Sequence, residues 1–160
     1  MLICVIKLTR EKKGQFVAEK FRKEVLQIDL DQHSWQEAIE VTGGLLLEAG
    51  SIEAGYIQAM IDAVNDLGPY MVVAPHLAIA HAAPAKHVIR NDMVMVIFKE
   101  PITFGSENDP VHIMIGLCAL NPGSHLEQFQ KIADIFDDVE AWKKLYDCVT
   151  VEQLYQLMNA

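Results

Sequence analysis

The run VHIMIGLCAL (Val111–Leu120) decides how this chain folds. A strand with one wet face alternates apolar and polar residues. This run is apolar at nearly every position, so it reads as a strand buried on both faces, with cover on each side of its sheet. Just upstream, NDMVMVIFKEP (91–101) is rich in β-formers and predicts a strand over Met93–Phe98. Further back, PYMVVA (69–74) and LAIA (77–80) read as two more short strands.

Helical patterns surround these strands. SWQEAIEVTGGLLLEAG (34–50) opens with Ser34 as N-cap and Glu37 three residues on, a capping-box spacing, and closes at Gly50. Trp35, Ala38, Ile39, Leu45 and Leu46 mark its apolar face. Gly43 and Gly44 weaken this helix and suggest close approach of another segment. SIEAGYIQAMIDAVNDLG (51–68) carries Ile57, Met60, Ile61 and Val64 on one face and stops at Gly68. HLEQFQKIADIF (125–136) predicts a stripe of Leu126, Phe129, Ile132, Ala133 and Phe136. DVEAWKKLYDC (138–148) and TVEQLYQLMN (150–159) follow as short helices, the second with a Thr150–Gln153 capping box. Residues 1–30 are ambiguous between a short helix and an extended arm with a strand near Val25–Leu30. The whole predicts one α/β domain over residues 1–160, a small mixed sheet flanked by helices on both sides.

Composition narrows the function. The net charge is −9 with no long basic block, which argues against nucleic acid or an anionic membrane as partner. The initial apolar run ends at Ile6, too short for a signal segment, and no stretch is long enough to insert in a membrane. Cys4, Cys118 and Cys148 are distant from one another and form no C-x-x-C, so they read as reduced thiols of a cytoplasmic protein. No phosphate-binding G-x-x-x-x-G-K-[ST] loop is present, which argues against an ATP-dependent kinase.

The histidines are the chemical feature. His76, His81 and His87 all fall within APHLAIAHAAPAKH (74–87). Their spacing matches no zinc finger or H-E-x-x-H pattern, and no Asp or Glu lies between His76 and His87, so no metal is expected. His76, in a turn, and His87, beside Lys86 and exposed, read as bystanders. His33 reads as exposed, and His112, on a strand edge of the apolar run, as a satisfied core histidine. His81 stands where a strand yields to a small-residue turn, a rigid mount for an exposed nucleophile. His125 follows NPGS, so Ser124 reads as an N-cap and His125 as the first helical residue, where free N–H groups welcome an anion.

Two blocks, GYIQAMIDAVNDLGPYMVVAPHLAIAHAAP (55–84) and DPVHIMIGLCALNPGSHLEQFQKIADIF (109–136), resemble enzyme IIA domains of the bacterial sugar phosphotransferase system. The class is mannitol–fructose, and the first block looks most like the ascorbate-type subgroup. The resemblance implies the mannitol-type IIA fold and a phosphocarrier activity without metal or cofactor. It implies His81 as phosphoryl acceptor and His125 as the second, phosphate-stabilising histidine. The partners implied are the histidine phosphocarrier protein, then a IIB cysteine that serves a membrane IIC transporter.

Three positions depart from the family pattern: Ala80 stands where Pro is usual, and Ala63 and Ala83 where related proteins carry Arg. The surface around His81, with Leu77, Ile79, Ala82 and Ala83, is the expected docking face. A regulatory domain that responds to phosphorylation, or an unphosphorylated interaction module of the same fold, remain alternatives. A IIB role is set aside, because no cysteine sits on a Gly-rich loop after an early strand.

Overall fold

The computed structural model describes residues 21–159 throughout, and the backbone of 7–10 and 16–19. Cys4 lies outside the described residues. Strands β1 (Lys7–Arg10) and β2 (Phe16–Glu19) form an antiparallel hairpin of their own. The main sheet has five strands: β3 (Leu26–Leu30), β4 (Val72–Ala74), β5 (Leu77–Ala80), β6 (Asp92–Ile102) and β7 (Val111–Cys118). Their order is β3-β6-β7-β5-β4. β3 runs parallel to β6 and β5 parallel to β7, while β6–β7 and β4–β5 are antiparallel. The sheet is therefore mixed, as expected.

β7 is central and buried along its length except at His112. Its apolar run is explained by cover on both sides. Helix α1 (Trp35–Glu48) packs across β6 and β7. The hydroxyl of Thr42 on this helix donates to Ala38 O at 2.7 Å and rests against Met114 Sδ at 3.1 Å. Helix α2 (Gly55–Leu67) packs on α1, and α3 (Pro122–Phe136), α4 (Val139–Tyr146) and α5 (Val151–Met158) complete the domain. From these last helices Ile132, Leu145, Leu154 and Met158 join the core.

Two glycines let α1 sit this close. A Cβ on Gly43 would fall 2.7 Å from Ile57 Cγ1, so the expected close approach is that of α2. A Cβ on Gly116 would fall 2.6 Å from Thr42 Cγ2 and 2.9 Å from Val94 Cγ2. We expect Gly116→Ala to destabilise the protein by about 1–3 kcal/mol, the usual cost of an overpacked core. Urea unfolding checks this, and a wild-type midpoint would show that α1 can shift away freely.

The local signals held with instructive differences. Ser34 caps α1 through the Glu37 N–H at 3.2 Å, but the Glu37 carboxylate accepts from His33 N–H at 2.8 Å rather than from the cap residue. The Thr150–Gln153 box is complete. The strand expected over Met93–Phe98 extends to Asp92–Ile102, because β7 continues to pair with it. The strand expected near Val25–Leu30 is β3.

The stripe expected on α3 is rotated. Leu126 and Ala133 face outward, and the fully buried positions are Gln128 and Ile132, with Phe129, Ile135 and Phe136 partly buried. A polar side chain takes a core position because it finds two carbonyl acceptors there.

Candidate functional site

β5 ends at Ala80, and His81 is the next residue. Its half-buried imidazole Nδ1 lies 2.7 Å from the carbonyl oxygen of Ile79. A carbonyl oxygen only accepts, so Nδ1 carries the proton and Nε2 holds the lone pair in the neutral ring. The ring is boxed by three others in edge-to-face contact: Tyr70 at 5.0 Å, Phe129 at 5.1 Å and His125 at 5.4 Å between centroids. Burial pushes the His81 pKa below its ordinary value, and the neighbouring His125 pushes it the same way against the opposing Ile79 bond. Burial lowers His125 as well. Both rings are thereby kept neutral, the nucleophilic form.

Two tyrosines brace this segment, and neither stood out in the sequence. Tyr70 donates to the His81 carbonyl at 2.5 Å. The buried Tyr56 hydroxyl donates to Leu117 O at 2.8 Å and accepts from the Ala82 N–H at 3.0 Å. Burial pushes both phenols up, that of Tyr70 to about 12, so they remain protonated donors.

His81 and His125 do meet, and they line a shallow depression of about 350 Å³ with Ala63, Leu67, Tyr70, Ala82 and Ala83. No Lys or Arg is among these lining residues. Ala63 and Ala83 both line this depression and bring no charge to it. Ala82 and Ala83 thus lie at the expected face. Leu77 and Ile79 do not: they are 3% and 2% exposed, because β5 lies inside the sheet between β4 and β7. The exposed apolar side chains nearest the histidines in the chain and in the depression are instead Leu126 and Leu67.

The start of α3 also differs from expectation. Asn121 is the N-cap and Pro122 the first helical residue, so His125 is the fourth. The Asn121 side chain accepts from the Ser124 N–H at 2.9 Å, and its carbonyl accepts from the His125 N–H at 3.1 Å. Asn caps as well as Ser does, and Pro favours the first helical position, so NPGS places the cap at Asn121. The amide donors expected for an anion at the helix start are taken at Ser124 and His125, and the Ala82 amide beside His81 is taken as well.

The other histidines stand apart. His76, in the turn before β5 with φ 69°, has Nδ1 2.9 Å from Pro110 O and its ring 5.0 Å from that of His112. These two occupy the opposite ends of β5 and β7 from His81, and His112 is half-buried. His87 is half-buried rather than exposed, with Nδ1 3.2 Å from Glu53. His33 is exposed as expected. Among the described residues no cluster of three or more His, Cys, Asp or Glu could hold a metal ion. Cys118 is a buried thiol and Cys148 a half-buried one. No described helix is long and apolar enough to cross a membrane.

Comparison with known proteins agrees with this architecture. The chain is 33% identical over 136 residues to the ascorbate-specific PTS system EIIA component of Escherichia coli K12, covering 84% of this chain and 88% of that one. The crystal structure of IIA mannitol from Escherichia coli superimposes with a TM-score of 0.77 at 25% identity, covering 87% of this chain and 99% of that chain. The Escherichia coli mannitol IIA solved in complex with phosphorylated IIB shares the fold, with a TM-score of 0.76 at 23% identity over 87% of this chain and 96% of that one. Residues 19–160 match the family model of the phosphoenolpyruvate-dependent sugar phosphotransferase system, EIIA 2. The mixed five-stranded sheet shared with these structures, the match over residues 19–160 and the 33% identity together place the chain in the EIIA 2 family, as a phosphotransferase component of a sugar phosphotransferase system.

Proposed function

We propose that His81 is the residue phosphorylated, on Nε2, and that His125 stabilises the phosphoryl group in transit. The observation that carries this reading is the bond from His81 Nδ1 to Ile79 O, which leaves Nε2 as the only ring nitrogen with a lone pair to give. The donor is a phosphohistidine on the histidine phosphocarrier protein. Its P–N bond breaks as the bond from phosphorus to His81 Nε2 forms, and the donor imidazole leaves with the electron pair. The second step passes the group to a cysteine thiolate of a IIB partner, which serves a membrane IIC transporter. Both donors and acceptors are protein side chains, so the step needs in-line positioning and charge stabilisation more than new covalent chemistry. The sugar is ascorbate or a close relative, the substrate named for the 33%-identical Escherichia coli component. The shallow, cation-poor depression, rimmed by Leu67, Ala82 and Ala83, suits brief docking of protein partners in the cytoplasm.

The test is incubation with phosphoenolpyruvate, the general phosphotransferase enzyme and the carrier protein. An acid-labile, base-stable phosphate should accumulate on the wild-type chain, and absence of label sinks the reading. A second expectation concerns pH. The His81 pKa is lowered, so the neutral nucleophile persists below the usual imidazole midpoint of about 6.5 and is lost only in more acid solution. An NMR titration of the ring should show that lowered midpoint with the proton on Nδ1 at neutral pH. A midpoint above about 6.5, or an Nε2 proton, contradicts the assignment.

A further inference from the structure

The two site histidines come from different elements, yet both are tied to one place, the C-terminal end of β7. His81 is tied through its neighbour: Ala82 N–H donates to Tyr56 Oη at 3.0 Å, and Tyr56 Oη donates to Leu117 O at 2.8 Å. His125 is tied through its own helix. One turn further along α3, Gln128 is fully buried, and its Nε2 donates to Cys118 O at 2.9 Å and to Asp92 O at 3.1 Å. Asp92 and Cys118 face each other across the last rung of the β6–β7 ladder. Residues three apart lie on one helix face, so seating Gln128 also sets where His125 points.

The other seating of α3 is apolar: Phe129 packs on the His81 and His125 rings, and Ile135 and Phe136 are partly buried against the core. The only fully buried residues of α3 are Gln128 and Ile132. The Gln128 side-chain oxygen has no partner among the described residues, so its polar contribution is the two N–H bonds. An apolar residue at 128 could be buried as well, but it would leave two strand-end carbonyls without this donor.

We propose that Gln128 is a positioning residue for phosphoryl transfer: by clamping α3 to the end of β7, it sets the separation between His125 and His81, with Tyr56 as the matching clamp on the His81 side. This rests on the reading of His81 and His125 as the phosphoryl-handling pair. The ionisable groups that face His81 are His125 from α3 and Tyr70 from the segment after α2, with Tyr56 of α2 reaching it through Ala82. The separation therefore has a spectroscopic signature, because His125 and the burial it helps provide hold the His81 titration low.

The experiment compares wild type, Gln128→Met, Tyr56→Phe and Ile132→Val. Each is followed by NMR titration of the histidine rings and by the rate of phosphoryl acceptance from the phosphorylated carrier protein. Gln128→Met keeps the volume and removes both donors. Its His81 midpoint should rise toward about 6.5, and its transfer rate should fall about tenfold or more, as misplacement of a catalytic group does. Tyr56→Phe should do the same from the other side. Ile132→Val trims the same face of α3 without touching the clamp, so it should lower the melting temperature and leave the titration unmoved.

Folded Gln128→Met and Tyr56→Phe variants with wild-type titrations and rates overturn the proposal. So does an Ile132→Val variant that shifts the titration as far as Gln128→Met. Should Gln128→Met not fold, Gln128→Asn, one methylene too short to reach both carbonyls, takes its place with the same expected shift and slowing. A folded Gln128→Asn with wild-type titration and rate then overturns the proposal. If the wild type takes no phosphate, the functional reading fails, but the titrations still decide whether the clamp sets the pair.

Discussion

Replacing His81 by Ala should abolish phosphoryl acceptance outright, with no label above background, while the fold stays intact. His81 is half-buried at a strand end, and the adjacent segment is held by Tyr56 and Tyr70 through backbone groups that Ala retains. The loss is therefore chemical. Among the near neighbours Ala82 and Ala83 carry no nucleophile, and the Tyr70 phenol, pushed up to about 12, stays protonated. His125 is assigned to stabilise the phosphoryl group rather than accept it, so label found on His125 in this variant would also count against the assignment. His76 and His112 sit at the other end of the same strands. Mass spectrometry under mildly basic conditions, paired with a melting curve, checks both halves. Undiminished label on a folded His81→Ala protein would falsify the assignment.

His125→Ala should slow transfer by about 10²-fold without abolishing it, the usual scale for removing one preorganised donor to a charged transition state. That factor corresponds to about 2.7 kcal/mol of barrier. The loss reaches this scale because few other donors reach the depression. Ala63 and Ala83 bring no charge, and the amides of Ala82, Ser124 and His125 already have partners. His125→Gln retains an N–H donor and should recover part of the rate. Single-turnover measurement of transfer from the phosphorylated carrier protein separates the cases. A His125→Ala rate within twofold of wild type would contradict the role assigned to His125.

Much of the architecture was legible because it rests on local physics. The unbroken apolar run at Val111–Leu120 could only be a covered strand or a buried helix, and its shortness and neighbouring β-rich segment chose the strand. Gly43 and the caps at Ser34 and Thr150 act over a few residues or through the absence of a side chain, so their spelling carries the signal. The cap of α3 was equally legible in Asn121–Pro122, and giving Ser124 the role overlooked the preference of Pro for the first helical position.

Leu77 and Ile79 fell out of the expected docking face for a different reason. Leu77 and Ile79 are apolar residues beside the nucleophile, and nothing local separates a surface apolar residue from a strand interior to a sheet. That β5 lies between β4 and β7 is a fact of long-range pairing. For the same reason α3 was read with its stripe rotated: hydrophobicity placed Leu126 and Ala133 inward, whereas two carbonyls at the end of the β6–β7 ladder drew Gln128 in.

By itself the sequence determined most of the elements after residue 30, the family to which they belong, and the pair of histidines worth testing, because periodicity, capping and motif spacing are all short-range properties. Only the tertiary structure decided which nitrogen of His81 is available, how the two rings meet, and which buried polar groups hold them there. Those depend on carbonyls and hydroxyls brought together from β5, β7, α2 and α3, and a hydrogen bond between distant segments has no local spelling in the chain.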